Sequence, residues 1–436
     1  MRIRIIIPFL LMISILFSSC TTYFTVTESK VKDTVNTNLK NSIKVDKNSK
    51  ENSIKELKYF KHVKLNSGYN TLDTVDMKRL YKALKRNITA FTDEKHISDG
   101  KVNFASEKVT VENCKITKRQ IAKVFFAFNL DNPQVFWLDE PYSFSIYDDS
   151  VSLSLYFTMK KAEYKKRLGQ LNSVVNSILR GVDKNMNAFE RELYIHDYIV
   201  KNCKYDKKAD NAKDKDPYTI YGCLVNQNAV CMGYTAAFQL LLSYVGIRSI
   251  TIDGSDTDTG HIWNAVKLGG DWYHTDVTWD DINDISMYDY FNVTTKQLTK
   301  THSIVPMMTE YNDDELFESD GTVKSCNLII PKCDSLRYNY YVYKGTVMSD
   351  IEKNSVSRDL AKTAERGESY FHIYVDPTEL DFNTVYNQLF SDEIYSFADY
   401  IREANSILGR EVLSTSVTVT RKDSLRVMSV RLKYNQ

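Results

Sequence analysis

The stretch that most constrains this chain runs from Asn228 to Asp281. It opens with an apolar run rich in helix formers, Ala229 to Val245, with Asn228 before it as a good N-cap and Gly246 after it as a natural stop. The pattern predicts a helix with Cys231 in its first turn. Unpaired N–H groups and the helix dipole favour a thiolate there, and the same N–H groups can hold an oxyanion.

A hairpin is predicted to follow this helix. His261 to Leu268 alternates between two faces, and Gly269-Gly270 is typical of a two-residue turn. If Leu268 pairs with Asp271, His261 and Asp276 become diagonal neighbours on one face, about 7–8 Å apart at the backbone, which their side chains can bridge. The same register sets His274 opposite Ala265, where we interpret it as structural.

Cys231, His261 and Asp276 then suit thiol acyl transfer, since Asp276 fixes the tautomer of His261 while the other ring nitrogen takes the thiol proton. Gly233 would leave room for a substrate chain. The alternative interpretation is a small core cysteine and an incidental histidine.

The three segments resemble, in order, the catalytic motifs of the bacterial transglutaminase-like superfamily: VCMGY, GHIWN and WYHTDVTWDD. The resemblance implies an α+β fold with a papain-like core, in which the nucleophile helix packs on an antiparallel sheet, and it implies the catalytic set Cys231, His261 and Asp276. Three side chains are candidates for an additional oxyanion donor, and the sequence does not choose among them: Tyr218, Tyr221 and Gln227.

The N-terminus carries a basic start followed by an apolar run, Ile5 to Phe17, too short for a transmembrane helix and typical of a secretory signal. It ends in LFSSC, which resembles the lipobox of bacterial lipoproteins and implies that Cys20 is lipidated. Residues 1–20 are therefore predicted to be a lipoprotein signal peptide, and the polar residues 21–56 a tether. A plain signal peptide or membrane anchor is the alternative.

The remaining chain is predicted to form a catalytic domain at 161–324 between two flanking α+β domains, at 57–160 and 325–436. A hairpin is expected around Asp148-Asp149 and a helix from Ala188 to Asn202. In the last domain we expect a strand from Tyr338 to Val342 and one long helix from Val385 to Leu408.

Composition limits the partners. The 57 Lys and Arg residues balance 56 Asp and Glu residues without a basic block, which argues against a nucleic-acid partner. The sequence shows no nucleotide-binding pattern and no zinc-ligand spacing, so no cofactor or metal is expected. Of seven cysteines, five remain besides Cys20 and Cys231; an odd number argues against a full disulfide framework, and a Cys326–Cys333 bridge stays open.

The resulting hypothesis is a lipid-anchored or secreted enzyme at the extracytoplasmic face of the cell membrane. It would act on a protein or peptide substrate and hydrolyse peptide or isopeptide bonds through a thioester on Cys231. A cross-linking transglutaminase and a non-catalytic binding module with the same fold are the alternatives.

Overall fold

The computed structural model describes residues 65–435, apart from 99–100, 210–213, 257–258, 283–284, 287, 320–321, 352–354 and 392–395. The predicted signal peptide, Cys20 and the tether lie outside these residues. In the described part of the chain, none of the helices has both the length and the apolar character needed to cross a bilayer.

The N-terminal region packs helices on an antiparallel sheet. Its first two helices begin at threonine caps: Thr74 accepts from the backbone of Met77, and Thr117 forms a capping box with Gln120. Strands β4 and β5 pair Ile146 with Val151, which confirms the predicted hairpin. The elements are α1 (Val75–Asn87), β1 (Phe91–Ser98), β2 (Lys101–Ser106), β3 (Val109–Glu112), α2 (Lys118–Asp131), β4 (Leu138–Ile146), β5 (Ser150–Phe157) and α3 (Lys161–Arg180).

The central region places one apolar helix against a four-stranded antiparallel sheet of order β10-β9-β8-β13. Helix α4 has the predicted bounds, with Asn187 and Glu190 forming its capping box. The elements are α4 (Ala188–Asn202), β6 (Lys204–Tyr205), β7 (Asn228–Ala229), α5 (Cys231–Tyr244), β8 (Arg248–Asp256), β9 (Thr259–Leu268), β10 (Asp271–Thr275), β11 (Asp281–Ile282), β12 (Ile285–Ser286), α6 (Thr295–Leu298), β13 (His302–Ile304) and α7 (Asp313–Leu316).

The fold is thus α+β, with the cysteine-bearing helix α5 packed on an antiparallel sheet as predicted. Gly246, just past α5, has φ +77°, which suits the glycine of a helix stop. One buried core extends from Leu72 to Cys326 and includes side chains of both the N-terminal and the central sheets. The sheet that carries His261 is therefore braced by the N-terminal region.

The C-terminal region has its own core, from Met348 to Leu432, around a sheet of order β14-β15-β17-β16. Its elements are α8 (Tyr340–Lys344), β14 (Thr346–Met348), α9 (Val356–Glu365), β15 (Tyr370–Val375), α10 (Phe382–Phe390), α11 (Phe397–Ile407), β16 (Thr418–Lys422) and β17 (Val427–Arg431).

Two predictions in this region were wrong. The strand expected from Tyr338 to Val342 is the start of helix α8, because the Asn339 side chain accepts from the backbone of Tyr341 and caps a helical turn. The single long helix is two helices, since α10 ends where Ser391 adopts an extended conformation. Strand β14 pairs in parallel with β15, which no local pattern indicated.

The C-terminal region contacts the central one at Asp289. The Lys422 ammonium lies 2.6 and 2.7 Å from the two carboxylate oxygens of Asp289, and the Tyr341 hydroxyl donates to the same carboxylate. Only a tenth of the Lys422 side chain is exposed, so the pair is shielded from solvent more than a surface ion pair is.

Candidate active site

Cys231 is the first residue of α5 and is buried. The cap differs from the prediction: the N-cap is Val230, which has no side-chain cap. Asn228 instead belongs to β7, and its amide donates to the Asp206 carboxylate. The expected placement of the thiol in the first helical turn still holds, where backbone N–H groups have no partner within the helix.

The turn that carries Cys231 lies against the strand that carries His261. One turn along α5, the Thr235 hydroxyl donates to the carbonyl oxygen of Ile262 at 3.0 Å, and Ile262 directly follows His261. Both Thr235 and the bond are buried. This hydrogen bond holds the first two turns of α5 against the N-terminal half of β9. No sequence pattern predicted this contact of Thr235.

The expected role of Gly233 was wrong. A Cβ atom at this position would lie 2.6 Å from the carbonyl oxygen of Pro217 and 2.8 Å from the Cβ of Ala229. Gly233 is therefore needed for the close approach of the chain's own segment before α5, not to leave space for a substrate.

The hairpin has the predicted register. Leu268 pairs with Asp271, and His274 with Ala265. Just beyond the paired residues, Nε2 of His261 lies 2.6 Å from Oδ2 of Asp276, and both side chains are buried. Nε2 of His261 thus faces Asp276, while Nδ1 lies 3.9 Å from Oδ2 of Asp256.

The Asp276 carboxylate is held at both oxygens. Oδ1 accepts from the backbone N–H groups of Thr278 at 3.0 Å and Trp279 at 3.2 Å, while Oδ2 accepts from His261 and, at 3.1 Å, from Nε2 of His302. Burial alone would raise the pKa of Asp276, but the charge of His261 and the hydrogen bonds from both histidines hold it below its ordinary value. Asp276 is thus a fixed carboxylate.

His302 is the site residue that sequence reasoning missed, because we had no reason to place β13 beside β8. In the sheet His302 pairs with Asp256. Its Nδ1 lies 2.8 Å from the Thr301 hydroxyl, and its ring contacts the rings of Trp279, Trp263 and Tyr290 at centroid distances of 4.7–5.3 Å. These contacts orient a second N–H toward Asp276.

His302→Phe should lower kcat about tenfold, comparable to the loss of a residue that orients a metal-bound histidine, and should move the acidic limb of the pH profile upward. The phenyl ring keeps the aromatic packing but removes one donor to Asp276, so the pKa of Asp276 rises and protonation inactivates the site at higher pH. The pH dependence of kcat/KM measures this shift.

His302→Gln is the matched control, since its amide can still donate to Asp276. It should restore most of the activity and return the acidic limb toward that of the parent protein. Equal profiles for both variants would mean that His302 only fills space.

His274 lies beside the site but is used structurally, as predicted. Its Nδ1 accepts from the Trp263 indole at 3.1 Å, so Nε2 carries the proton and donates to the Thr295 hydroxyl at 3.0 Å. Burial lowers the pKa of His274 to about 3. A neutral ring with both nitrogens occupied is not available for catalysis.

His261, Asp276 and His302 also place three potential metal-ligand atoms within 4.8 Å of one another. Two imidazoles and one carboxylate form a donor set that zinc uses. In this structure, however, the Nε2 atoms both point at one oxygen of Asp276, within hydrogen-bond distance. The group is thus satisfied by its own hydrogen bonds.

A buried ring of hydrogen bonds supports the end of β10, next to Asp276. Asn292 donates to Oε2 of Glu192 at 2.8 Å, and the Thr275 hydroxyl lies 3.1 Å from Oδ1 of Asn292 and 3.4 Å from Oε1 of Glu192. One hydroxyl hydrogen cannot serve two acceptors, but a protonated Glu192 can donate to Thr275, which then donates to Asn292. Consistently, burial raises the pKa of Glu192 to about 8.

This ring predicts a pH-dependent stability. Between pH 4.5, where Glu192 titrates in the unfolded chain, and about pH 8, the folded state keeps a proton that the unfolded state releases. The contribution of Glu192 to stability is therefore present below pH 4.5 and falls as pH rises, by about 1.4 kcal/mol per unit and on the order of 5 kcal/mol in all.

Glu192→Gln should remove that slope, because an amide reproduces the hydrogen bonds of the protonated acid at every pH. Denaturant unfolding from pH 5 to 8 measures the difference. Exposed Glu365→Gln is the control and should keep the parent slope. If the free energy of unfolding of the parent protein does not fall between pH 5 and 8 relative to that of Glu192→Gln, Glu192 is not neutral in the folded protein.

The three candidate oxyanion donors occupy different environments. The Tyr221 hydroxyl donates to Oε1 of Gln170 at 2.7 Å and is therefore engaged outside the site. Gln227 is exposed, and its φ of +59° forms the turn between the π-helix Gly222–Asn226 and β7. Tyr218 is half-buried at the wall of a cavity beside α5.

That cavity has a volume of about 420 Å³. Met232 and Ile262, the residues that follow Cys231 and His261, form part of its wall, together with side chains from the N-terminal region and from the segment 326–329. Its size lies in the range of ligand-binding cavities.

Residues 173–277 match the transglutaminase-like superfamily. Kyphoscoliosis peptidase of Mus musculus is 28% identical over 121 residues, which are 25% of this chain; the chain spans only 18% of that curated relative. Two solved structures are also similar. One, described as a TGase, shares 14% identity over 39% of this chain and 50% of its own, with a TM-score of 0.22. The other, a proposed cysteine protease from Cytophaga hutchinsonii, shares 12% identity over 49% and 71%, with a TM-score of 0.23.

The family match begins within α3 and ends one residue after Asp276. It contains the helix of Cys231 and the hairpin of His261 and Asp276, whereas His302 lies beyond it. The part of the chain that carries these three residues is therefore the part that matches the transglutaminase-like superfamily.

Proposed function

We propose that this protein is a thiol-dependent acyl-transfer enzyme that hydrolyses peptide or isopeptide bonds through a thioester on Cys231. The observation that carries the proposal is the buried 2.6 Å hydrogen bond between His261 and Asp276, at a sheet on which the helix that begins with Cys231 packs. The contact between Thr235 and Ile262 supports placing the two halves together.

In the proposed mechanism, Nδ1 of His261 takes the proton of the Cys231 thiol, and the thiolate attacks the substrate carbonyl carbon. N–H groups of the first turn of α5 stabilise the oxyanion. The tetrahedral intermediate collapses as His261 returns the proton to the leaving amine, which leaves a thioester. His261 then activates water, which releases the acid and restores the thiol.

Asp276 has two roles in this scheme. Its hydrogen bond keeps the proton of His261 on Nε2, so that Nδ1 can accept. Its negative charge stabilises the imidazolium formed after proton transfer. The burial of Asp276 and its four hydrogen-bond donors support both roles, because the carboxylate is fixed before the substrate arrives.

We place the acyl part of the substrate in the 420 Å³ cavity. Its wall includes Met232 and Ile262, the chain neighbours of Cys231 and His261. Apolar side chains such as Leu130, Leu138 and Leu328 line it together with polar ones such as Asn129, Gln239 and Asp253. A peptide segment with a bulky apolar side chain fits this chemistry.

The decisive experiment incubates residues 57–436 with candidate surface proteins and peptides, with and without a primary amine, and analyses the products by mass spectrometry. New termini would support hydrolysis. The name of the mouse relative, a peptidase, also favours hydrolysis. Incorporation of the amine would instead support a cross-linking transglutaminase. If neither product forms and the protein still binds these partners, the result would support a binding module.

We further propose that the protein is anchored at the extracytoplasmic face of the cell membrane through a lipid on Cys20. The basis is the sequence LFSSC after an apolar run. Labelled fatty acid should be incorporated into the parent protein but not into Cys20→Ser. An unlabelled protein that retains its uncleaved N-terminus would contradict the lipid anchor.

A further inference from the structure

Two cysteines outside the catalytic group lie in contact just before α5. Cys203 is the C-cap of α4, and Cys223 lies in the π-helix Gly222–Asn226. Each is only 2% exposed. Gln227 joins their two segments, since its N–H donates to the carbonyl of Gly222, next to Cys223, and its carbonyl accepts from the N–H of Lys204, next to Cys203. The two thiols interact with each other, and the Cys203 thiol also lies 3.8 Å from the carbonyl oxygen of Lys204. They are twenty residues apart in sequence, so the fold and not chain proximity brings them together.

The backbone on both sides of this contact is fixed. Cys203 is followed directly by β6, where Lys204 N–H donates to the carbonyl of Gln227 at 3.0 Å and Asp206 N–H to that of Ala229 at 2.9 Å. A Cβ atom on Gly222, next to Cys223, would lie 2.1 Å from the carbonyl oxygen of Asp216. The two sulfur atoms are therefore held as neighbours by rigid segments.

We propose that Cys203 and Cys223 form a disulfide when the protein matures in an oxidising compartment. The oxidant is a small-molecule or protein disulfide, such as glutathione disulfide. The Cys203 thiolate attacks one of its sulfurs and releases one thiolate, which leaves a mixed disulfide on Cys203. Cys223 loses its proton and attacks the Cys203 sulfur, which releases the second thiolate. Two protein thiols are oxidised and one disulfide is reduced to two thiols.

The order of attack follows from the surroundings of the two thiols. The hydrogen bond from Cys223 lowers the pKa of Cys203, whereas burial raises the pKa of Cys223. Cys203 is thus the better first nucleophile.

Two further described thiols, those of Cys326 and Cys333, have other neighbours. Cys333 contacts the carbonyl oxygen of Pro331 at 3.6 Å, and Cys326 lies near Asp253. Burial raises the pKa of both thiols to about 12.

Closing this bond would tie the end of α4 to the segment that leads into α5. The enclosed loop holds Tyr218 and the stretch that packs on Gly233. A cross-link over such a loop restricts the unfolded chain and so stabilises the folded one. Formation of this bond in the cell rests on the extracytoplasmic location proposed above, but it does not require that the protein be an enzyme.

The test is peptide mapping of the protein folded in a glutathione redox buffer, alkylated, and digested with trypsin without reduction. The expected product joins residues 202–204, which contain Cys203, to residues 216–248, which contain Cys223. Because 216–248 also holds Cys231, the mapping is repeated on Cys231→Ala. The linked product should persist in that variant and disappear in Cys223→Ser.

Absence of the linked product from the oxidised parent protein would overturn the proposal, and so would its loss in Cys231→Ala. A second measurement compares melting temperatures with and without dithiothreitol. The parent protein should lose several degrees on reduction, and so should the control Cys114→Ser, whereas Cys203→Ser should respond little. A parent protein that melts at the same temperature in both buffers would show that no stabilising bond forms.

Discussion

Cys231→Ala is expected to abolish turnover, with kcat/KM reduced by at least about 10⁴-fold, as when the nucleophile of a catalytic triad is removed. Alanine is a good helix former and fits the buried position, so the fold should remain. Kinetics with the substrate found by mass spectrometry measure the loss, and circular dichroism measures the fold.

A chemical test accompanies this substitution. Iodoacetamide near neutral pH should label Cys231 ahead of the other thiols, since Cys231 lies at a helix N-terminus and His261 is its proposed proton acceptor. The described cysteines are all buried, so exposure alone does not favour any one of them. Labelling of Cys326 or Cys333 at the same rate as Cys231 would contradict the assignment of the nucleophile.

Asp276→Asn should lower kcat by about 10⁴-fold without unfolding the protein. The backbone N–H groups of Thr278 and Trp279 point at Oδ1, so the asparagine oxygen is expected to stay there. Its NH₂ group then faces Nε2 of His261 and forces that nitrogen to accept. The proton of His261 moves to Nδ1, which can no longer take the thiol proton.

Asp280→Asn is the matched control, since Asp280 is equally buried and lies in the same turn. Its Oδ1 accepts from Tyr290 N–H at 2.9 Å and its Oδ2 lies 3.1 Å from Nε2 of His196. Here the reversed tautomer is harmless, because Nδ1 of His196 can donate to Asp197, 3.0 Å away. Asp280→Asn should therefore retain turnover. If its kcat falls as much as that of Asp276→Asn, the effect is not specific to Asp276.

The sequence was sufficient to predict the features that depend on local pattern. The helix of Cys231 follows from an apolar run that stops at a glycine, and the contact of His261 with Asp276 follows from a two-residue turn, because strand pairing propagates the register from Leu268 and Asp271. Both signals act over fewer than twenty residues.

The features that were missed depend on contacts between distant segments. His302 reaches Asp276 only because β13 pairs with β8, and a three-residue strand carries too little pattern to assign its partner. Likewise, the neighbours of Gly233 come from the irregular segment before α5. The course of that segment cannot be predicted from hydrophobic periodicity. Asn228 is a favourable N-cap by residue type, but in the structure it pairs with Lys204 between β6 and β7.

The ion pair between Lys422 and Asp289 connects the C-terminal region to the backbone next to Asp276. Asp289 directly precedes Tyr290, whose carbonyl oxygen accepts from the backbone N–H of Asp276 at 3.0 Å. A ligand that binds the C-terminal region and favours the broken ion pair would act on the backbone that positions Asp276. If such a ligand changes the affinity for substrate by some factor, substrate binding must change the affinity for the ligand by the same factor. Lys422→Met would reveal this coupling as a change in kcat, and an unchanged kcat would show that the two regions work independently.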